Sequence, residues 1–307
     1  MEQWFIDAGW PRRVVETTSV PKWADTQSRP NAWLLLDGTS RSTIENEVRD
    51  IAGAFSYHWI WRGTPLEYSS PGYRHGPMLV ALSEDLMERF LFDWGPKQVG
   101  LITFGPEQPQ PMLRQIRKLY RLLGADGHQL TFHISNLRIL EELCEALAAD
   151  RLAVLFGPIE RLLWHSGNHH NEWLQIQSQP ETKVHSDDEP SIRLTAHEET
   201  ALNTASRAWF IRQFEQSMNQ RFPILAKEQN QPRIRRQYHS FIQEADRLGL
   251  HLERDRRIYM ELRLRYPQEP FTSDKVLLTV LFQTDVQGMQ RLIDVSDRLR
   301  QTVDTLF

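Results

Sequence analysis

Cysteine is almost missing from this sequence, since Cys144 is the only one among 307 residues. A single thiol excludes an internal disulfide framework. Cys144 lies in the amphipathic pattern Leu140-Glu-Glu-Leu143-Cys144-Glu-Ala-Leu147. A cysteine with apolar helical neighbours usually packs as a small core residue. We therefore expect Cys144 in the core and not in a catalytic site.

Long apolar runs are missing as well. No stretch approaches about 18 apolar residues, the length that a transmembrane helix requires. The first residues include Glu2 and Asp7 and lack the apolar segment of a signal peptide. We expect a cytoplasmic protein with no membrane partner. Hydrophobic residues make up 40% of the chain and charged residues 25%, and this balance favours a packed globular protein over a disordered one.

Motifs of the common enzyme classes are also absent. The sequence contains no G-x-x-x-x-G-K-[ST], no G-x-S-x-G, no H-E-x-x-H and no C-x-x-C. Zinc needs three or four convergent ligands, whereas adjacent histidines point to opposite faces of a strand and diverge on a helix. The histidines and acids considered for such a site are His165, His169, His170, His185, Asp187 and Asp188. We expect no metal site, no cofactor and no enzymatic activity.

Charge is spread unevenly along the chain. Residues 1–192 hold 18 basic and 25 acidic residues, a balance of −7, and residues 193–307 hold 18 basic and 15 acidic residues, a balance of +3. The two balances add up to the net charge of −4. This split favours two lobes of different character. Neither lobe reaches the strongly basic balance of a dedicated nucleic-acid-binding protein, so we expect no nucleic-acid partner.

The pattern of residues 32–176 predicts an α/β lobe, a sheet with flanking helices. Apolar runs bounded by turn residues predict strands, and apolar spacings of three and four predict helices between them. The predicted strands are residues 32–36, 57–61, 77–82, 99–104 and 130–134, followed by a hairpin of residues 159–165 and 172–177. The predicted helices are residues 41–55, 86–93, 111–123 and 136–149. Periodicity leaves open whether the strands are parallel or mixed.

The segments outside this lobe have a different character. Residues 1–31 are rich in tryptophan and proline, which predicts an extension that packs on the body of the protein. Residues 177–192 are polar and predict a linker. Residues 193–307 show helical periodicity only and predict a bundle of four or five helices. Thr195 and Glu198 form a capping box at its first helix, and Ser273 is the predicted cap of a later helix.

The turn Asp37-Gly38 ends the first predicted strand, a position at which α/β folds often place functional sites. The phosphotransferase loop of the haloacid dehalogenase family has a nucleophilic Asp two residues before its second Asp, and here that position is Leu35. The simpler interpretation is that Asp37 and Gly38 form a turn, and that Thr39 or Ser40 caps the next helix. The alternative that stays open is a small-molecule or phosphoryl-processing enzyme that uses this loop.

An ordered series of landmarks within residues 32–165 resembles one protein family. They are the strand ending Leu36-Asp37-Gly38, the strand Gly76-Pro-Met-Leu-Val-Ala-Leu82, Trp94-Gly95 before the strand to Phe104, the helix Met112-Leu-Arg-Gln-Ile-Arg-Lys-Leu-Tyr120, the Asp126-Gly127 turn and Phe156-Gly157-Pro158. This order resembles the adaptor, or effector-chaperone, proteins of bacterial type VI secretion. The family often has an aromatic-Asp-Pro run after the fifth strand. This chain has Ser135-Asn136 there, a pair that can also cap a helix.

The resemblance implies a non-enzymatic function. Such adaptors bind a cognate toxic effector in the cytoplasm and help to load it onto the VgrG spike or its PAAR tip. A structural component of the secretion apparatus is a further alternative.

Aromatic and arginine residues are the candidate contacts with such a partner, because Trp, Tyr and Arg dominate hot spots at protein interfaces. The candidates are Tyr68, Tyr73, Arg74 and Trp94 in the first lobe and Arg254, Arg256 and Arg257 in the second. Two of the three residues Tyr57, Trp59 and Trp61 are expected in the core. Residues 233–265 hold nine arginines, no lysine and five acidic residues. Arginine suits bidentate pairing with an acidic partner, and the competing interpretation is a solvated helical face with internal ion pairs.

Overall fold

The computed structural model describes residues 15–24, 31–53, 57–68, 72–167, 172–178, 192–226 and 231–302. The chain divides into two compact units, and the division falls between Ala205 and Ser206. Most of the predicted extension and most of the predicted linker lie outside the described residues. The domain boundaries proposed from the sequence therefore stay predictions.

A seven-stranded sheet forms the centre of the first unit. Its strands are β1 (Glu16–Thr18), β2 (Ala32–Asp37), β3 (Tyr57–Trp59), β4 (Pro77–Ala81), β5 (Gly100–Phe104), β8 (Arg161–His165) and β9 (Trp173–Gln177), and a separate small pair consists of β6 (Leu122–Leu123) and β7 (Gln129–Leu130). The order across the sheet is β1-β9-β8-β5-β2-β4-β3, and every neighbouring pair is antiparallel. The predicted α/β class is confirmed, and the direction of the strands is now known.

Helices cover both faces of this sheet. They are α1 (Ile44–Ala52), α2 (Glu84–Arg89), which continues into a π-helical turn (Phe90–Trp94), α3 (Pro109–Leu119), α4 (Leu137–Ala146) and α5 (Ala149–Phe156). In β2, Trp33 and Leu35 pack into the core formed with α3, α4 and α5, whereas Leu34 and Leu36 pack into the core formed with α1 and α2. Successive side chains of a strand point to opposite faces. A strand that is buried on both faces therefore has a continuous apolar sequence, as β2 does.

Local capping chemistry begins several helices as the sequence predicts. Ser83 accepts a hydrogen bond from the backbone of α2, and Asn136 accepts one from the backbone of α4. The capping box is complete, since Glu198 N donates to Thr195 Oγ1 at 3.2 Å and Thr195 N donates to Glu198 Oε2 at 2.8 Å. Because Asn136 caps α4, the departure from the family pattern at Ser135-Asn136 leaves the helix start intact.

The predicted fifth strand, residues 130–134, is largely wrong. Leu130 ends the short strand β7, which pairs with β6 outside the main sheet. The following segment docks on a helix instead, since Phe132 N donates to the carbonyl of Leu119 at the end of α3, at 3.0 Å. A helix carbonyl without an intrahelical partner thus replaces a neighbouring strand.

Two predicted caps are also wrong. The residue before α1 is Thr43, not Thr39 or Ser40. The cap of the later helix is Asp274, one residue after the predicted Ser273, and its carboxylate accepts from two backbone N–H groups. In the first case the helix begins three or four residues later than predicted, and in the second the cap lies one residue later. In both cases the residue before the helix is polar, as predicted.

The second unit is helical. Helix α6 (Ala196–Arg221) contains the point of division, and it is followed by a 3₁₀ turn (Pro223–Ala226), α7 (Gln231–Arg247), α8 (Glu253–Arg265), the single turn α9 (Pro270–Ser273), α10 (Lys275–Leu281) and α11 (Gly288–Thr302). Phe214, Tyr238 and Met260 join α6, α7 and α8 in one core cluster. Leu277 and Leu292 join α10 and α11 to a second cluster. The predicted helical lobe is confirmed.

Cys144 is buried in α4, as expected. Desolvation raises the pKa of its thiol, and the neighbouring Glu141 and Glu145 raise that pKa further. A thiol that stays protonated is a poor nucleophile. Across the described ranges, no helix has both the length and the apolar character needed to cross a bilayer.

Candidate partner-binding surface

The segment between β3 and β4, described at residues 60–68 and 72–76 and called here the aromatic loop, holds three of the predicted contact residues: Tyr68, Tyr73 and Arg74. Strand β3 is an edge strand of the sheet, and the chain that leaves it turns through residues 60–68. The ring of Tyr68 is 92% exposed in this turn. Trp59 and Trp61 are buried, so two of the three aromatic residues in the strand segment lie in the core, as predicted. Tyr68 is the large side chain that this loop presents to solvent.

Tyr73 and Arg74 form a fixed pair close to the same edge. Tyr73 is half-buried and packs edge-on against Trp59, with ring centroids 5.9 Å apart. The guanidinium of Arg74 lies 5.9 Å from the ring centroid of Tyr73, and Arg74 Nε donates to Tyr73 Oη at 3.5 Å. Tyr73 therefore anchors an exposed arginine on buried Trp59 of the edge strand.

Trp94 lies in the core and not on this surface. It is fully buried, and its Nε1 donates to Glu47 Oε2 at 3.0 Å. Glu47 also accepts hydrogen bonds from Arg41 and Arg89. A partner could contact the Trp94 ring only if the core opened. Its observed role is to tie the π-helical turn to α1.

The three predicted arginines of the second unit have different surroundings. Arg256 donates to Asp246 of α7. Arg257 lies over the ring of Phe210, with its guanidinium 5.9 Å from the ring centroid. Arg254 is exposed and contacts Asp255 beside it, at 3.2 Å. Arg256 and Arg257 thus take part in packing within their own unit, and Arg254 points outward.

Other arginines of the same run are structural. Arg263 is buried between Phe241 and Phe271, with its guanidinium 4.9 and 4.6 Å from the two ring centroids, and its Nε donates to Glu244 at 2.8 Å. Much of the arginine content of residues 233–265 therefore holds helices together. The interpretation as internal ion pairs describes these residues better than partner contact does.

The Asp37 loop is a turn in the structure. Asp37 is buried, and its Oδ1 accepts from Thr39 N at 2.9 Å and from Thr39 Oγ1 at 2.7 Å. The next residue must be small, since a Cβ on Gly38 would lie 2.7 Å from the carbonyl oxygen of Gly76. These contacts match the simpler interpretation, in which the aspartate closes its own turn.

The histidine-rich stretch contributes one described side chain. His165 is buried, and its Nδ1 accepts from Gly167 N at 3.0 Å, while its ring packs edge-on against Trp173. The other histidines and acids of the stretch lie outside the described residues.

A different group, not predicted from the sequence, brings possible metal ligands together. One atom each from Asp126, His128 and Glu199 lie within 4.8 Å of one another at the surface. Their hydrogen bonds have a local explanation, because Asp126 accepts from His128 N at 3.0 Å and Glu199 accepts from Ala125 N at 2.8 Å. The group shapes the turn between β6 and β7.

A basic face on α3 and the turn that follows it was also missed by the reasoning from sequence. Its cations are Arg114, Arg117 and Lys118 on α3, and Arg121 two residues beyond the helix end. Spacings of three, four and seven from Arg114 are those of one helical face, so the signal was present in the sequence. They line a cleft of about 270 Å³, and residues 63–66 of the aromatic loop form the opposite wall.

No curated protein and no solved structure matches this chain. A family model matches residues 32–153, less than half of the chain, and that range includes the aromatic loop and α3. Over this range the chain is similar to the family described as "Domain of unknown function (DUF4123)".

Proposed function

We propose that this protein is a non-enzymatic adaptor that binds a cognate type VI secretion effector in the cytoplasm and helps to load it onto the VgrG or PAAR spike. The order of landmarks in residues 32–165 supports this proposal, because it resembles that adaptor family. The matched domain, residues 32–153, covers all of these landmarks except the last, Phe156-Gly157-Pro158.

The observation that carries the proposal is the surface formed by Tyr68, Tyr73 and Arg74. Tyr68 and Arg74 are both exposed, and Tyr73 N donates to the carbonyl of Glu67, next to Tyr68, at 3.3 Å. The ring of Tyr73 is anchored on buried Trp59. Tyrosine and arginine side chains on a rigid base are the usual anchors of a protein interface, since little conformational entropy is lost when a partner binds.

Three of the described groups that could perform chemistry are held or shielded in the structure. Asp37 closes its turn, His165 accepts a backbone hydrogen bond, and Cys144 is buried with a raised pKa. An adaptor needs none of these groups to react. Partner recognition therefore accounts for the exposed features of the first unit better than the enzymatic alternative at Asp37 does.

The test is capture of a partner by the full-length, tagged protein from the native cytoplasm, with mass spectrometry of the co-eluting proteins. We expect one large effector or spike protein in near-equal amount. The double variant Tyr68→Ala/Arg74→Glu should lose this protein, because it removes both exposed anchors.

Phe92→Ala is the matched control, because Phe92 is also a highly exposed aromatic residue, at 80%, and lies on the π-helical turn instead. It should retain the partner. Capture of no stoichiometric partner by the wild-type protein would contradict the proposed function. If Tyr68→Ala/Arg74→Glu captures the partner as well as the wild-type protein does, the surface formed by these residues is not the binding surface.

A further inference from the structure

The basic cleft of the first unit, defined by α3 and residues 63–66, has a marked local charge. Arg114, Arg117, Lys118 and Arg121 line one side, and buried Tyr120 lies beside them. In the described part of the chain, no acidic residue lines the cleft. The nearby Glu67 accepts from Gly63 N at 2.9 Å, so its carboxylate is used to close the loop. The cleft therefore combines four cations with a volume that can hold a few side chains.

Arg117 has a fixed structural position at the base of this cleft. Its Nε donates to Ile60 O at 2.8 Å, and its terminal nitrogen donates to Arg62 O at 2.7 Å and to Trp59 O at 3.3 Å. The register of β3 and β4 ends at Trp59 opposite Met78, and continuing it by one residue sets Ile60 opposite Pro77, where Ile60 N donates to Pro77 O at 3.0 Å. Proline has no N–H to return that bond, so Arg117 supplies the missing donor for the Ile60 carbonyl.

The positive charge of Arg117 is not neutralised by a described carboxylate, because its hydrogen bonds go to carbonyl oxygens. Burial lowers its pKa, and Arg117 in turn helps to lower the pKa of His58, after the larger effect of that histidine's own burial. A half-buried cation of this kind gains stability from an anion placed nearby.

We propose that the basic cleft binds an acidic segment of a protein partner, whose carboxylates pair with Arg114, Lys118 and Arg121 beside the fixed charge of Arg117. Tyr68, two residues beyond the wall formed by residues 63–66, then packs on the same segment. This inference rests on the proposed adaptor function and adds the chemistry of the partner.

An acidic protein segment fits the surroundings better than nucleic acid. Residues 1–192 carry a balance of −7, so the positive charge of the cleft is local. A nucleic-acid chain would extend beyond the four cations along a unit whose net charge is negative, whereas a short acidic segment needs only the cleft.

The direct test uses the full-length protein and a fluorescent peptide of alternating glutamate and serine, with fluorescence anisotropy at low and high ionic strength. We expect binding that weakens as salt increases. Arg114→Glu/Arg121→Glu should weaken this binding about tenfold or more, because both reversed charges face the peptide. Arg117 is left unchanged, since it supports the end of β3.

The matched control is Arg49→Glu/Lys97→Glu, which reverses the same number of charges on the side of the sheet that carries α1 and the π-helical turn. Its peptide affinity should stay within about threefold of the wild-type value. If the first double variant does not fold, Arg114→Gln/Arg121→Gln removes the charges more mildly and should still weaken binding. Equal peptide affinity of wild-type protein and cleft variant would overturn the proposal. Binding of an oligothymidine, or of inorganic phosphate, in place of the glutamate peptide would also overturn it.

The same variants separate this inference from the proposed function. If the wild-type protein captures a partner from the cytoplasm and Arg114→Glu/Arg121→Glu captures it equally well, the cleft proposal fails and the adaptor proposal survives. If the wild-type protein captures no partner but binds the glutamate peptide in the cleft, the adaptor proposal fails and acidic-segment binding stands. Loss of the partner in the cleft variant, with retention in the control, supports both.

Discussion

Arg291 offers a quantitative test of the packing in the second unit. It is only 3% exposed, and one terminal nitrogen donates to Leu248 O at 2.9 Å and to Leu281 O at 2.6 Å. Leu248 directly follows α7 and Leu281 is the last residue of α10, so both carbonyls lie at helix ends that lack intrahelical donors. The positive charge also lies at the negative ends of two helix dipoles, and this interaction is attractive. Arg291 therefore fastens two helix ends together.

Arg291→Met keeps most of the side-chain volume and removes the donors. Each buried carbonyl left without a partner costs about 1–3 kcal/mol, which gives about 2–6 kcal/mol for two. Removal of a buried charge that has no carboxylate partner offsets part of this cost. We expect a net loss of about 2–4 kcal/mol in the free energy of local unfolding.

The assay is native-state hydrogen exchange with peptide-level mass spectrometry, because a chain of two units need not unfold in one step. A loss of about 2–4 kcal/mol corresponds to exchange about 30- to 700-fold faster in α10 and α11. The exchange rates of peptides from β2 and β5 should not change. Arg300→Met on the same helix is the control, since Arg300 is exposed, and it should change exchange by less than about threefold. An increase below about threefold in Arg291→Met would refute the reasoning.

Three further predictions follow from single contacts. Burial alone would raise the pKa of Glu47, but hydrogen bonds from Thr43 and from its Arg and Trp partners outweigh this effect and lower the pKa from 4.5 to about 2. Its stabilising contribution is therefore complete above pH 4.5 and is lost as the pH falls toward 2, so Glu47→Gln should flatten the pH dependence of the urea midpoint in that window. Gly100→Val should lower the free energy of unfolding by about 3 kcal/mol or more, because a Cβ at Gly100 would lie 2.1 Å from Leu35 O. The measurement is thermal unfolding, and a melting temperature equal to that of the wild-type protein would contradict this reasoning. Asp274→Ala should cost about 1 kcal/mol through loss of the cap of α10, measured by exchange of its first-turn amides, whereas Asp274→Asn should retain most of the cap.

Local chemistry made part of this fold predictable from sequence. The apolar run of β2, ended by Asp37-Gly38, and the capping box of Thr195 and Glu198 involve residues close together in the chain. Strand direction depends on pairings between distant segments, such as β2 with β4 and β5, and no local pattern encodes them. The missing strand at Phe132 has the same cause, since a helix end took the backbone bond that a strand would have made.

The candidate site was predictable only in part. Exposure of Tyr68 agrees with its expected position in a polar loop, whereas Trp94 looks the same in sequence and is buried with its indole N–H bonded to Glu47. The guanidinium of Arg263 likewise packs against two phenylalanines from other helices. Whether an aromatic or arginine side chain faces solvent depends on neighbours that are far away in the chain, so composition alone does not tell which of the predicted contact residues are exposed.

The hydrogen bonds of Arg117 also bear on how the protein behaves at high concentration. An open strand edge is a template on which a second chain can add a strand. The register of β3 directs the Trp59 carbonyl outward, and Arg117 covers it. Arg117→Ala would uncover that carbonyl beside an aromatic-rich strand, so we expect self-association that grows with concentration and is visible by light scattering before the melting temperature changes. We therefore expect the arginine that completes the end of this sheet also to oppose the pairing of two copies of the protein through this strand edge.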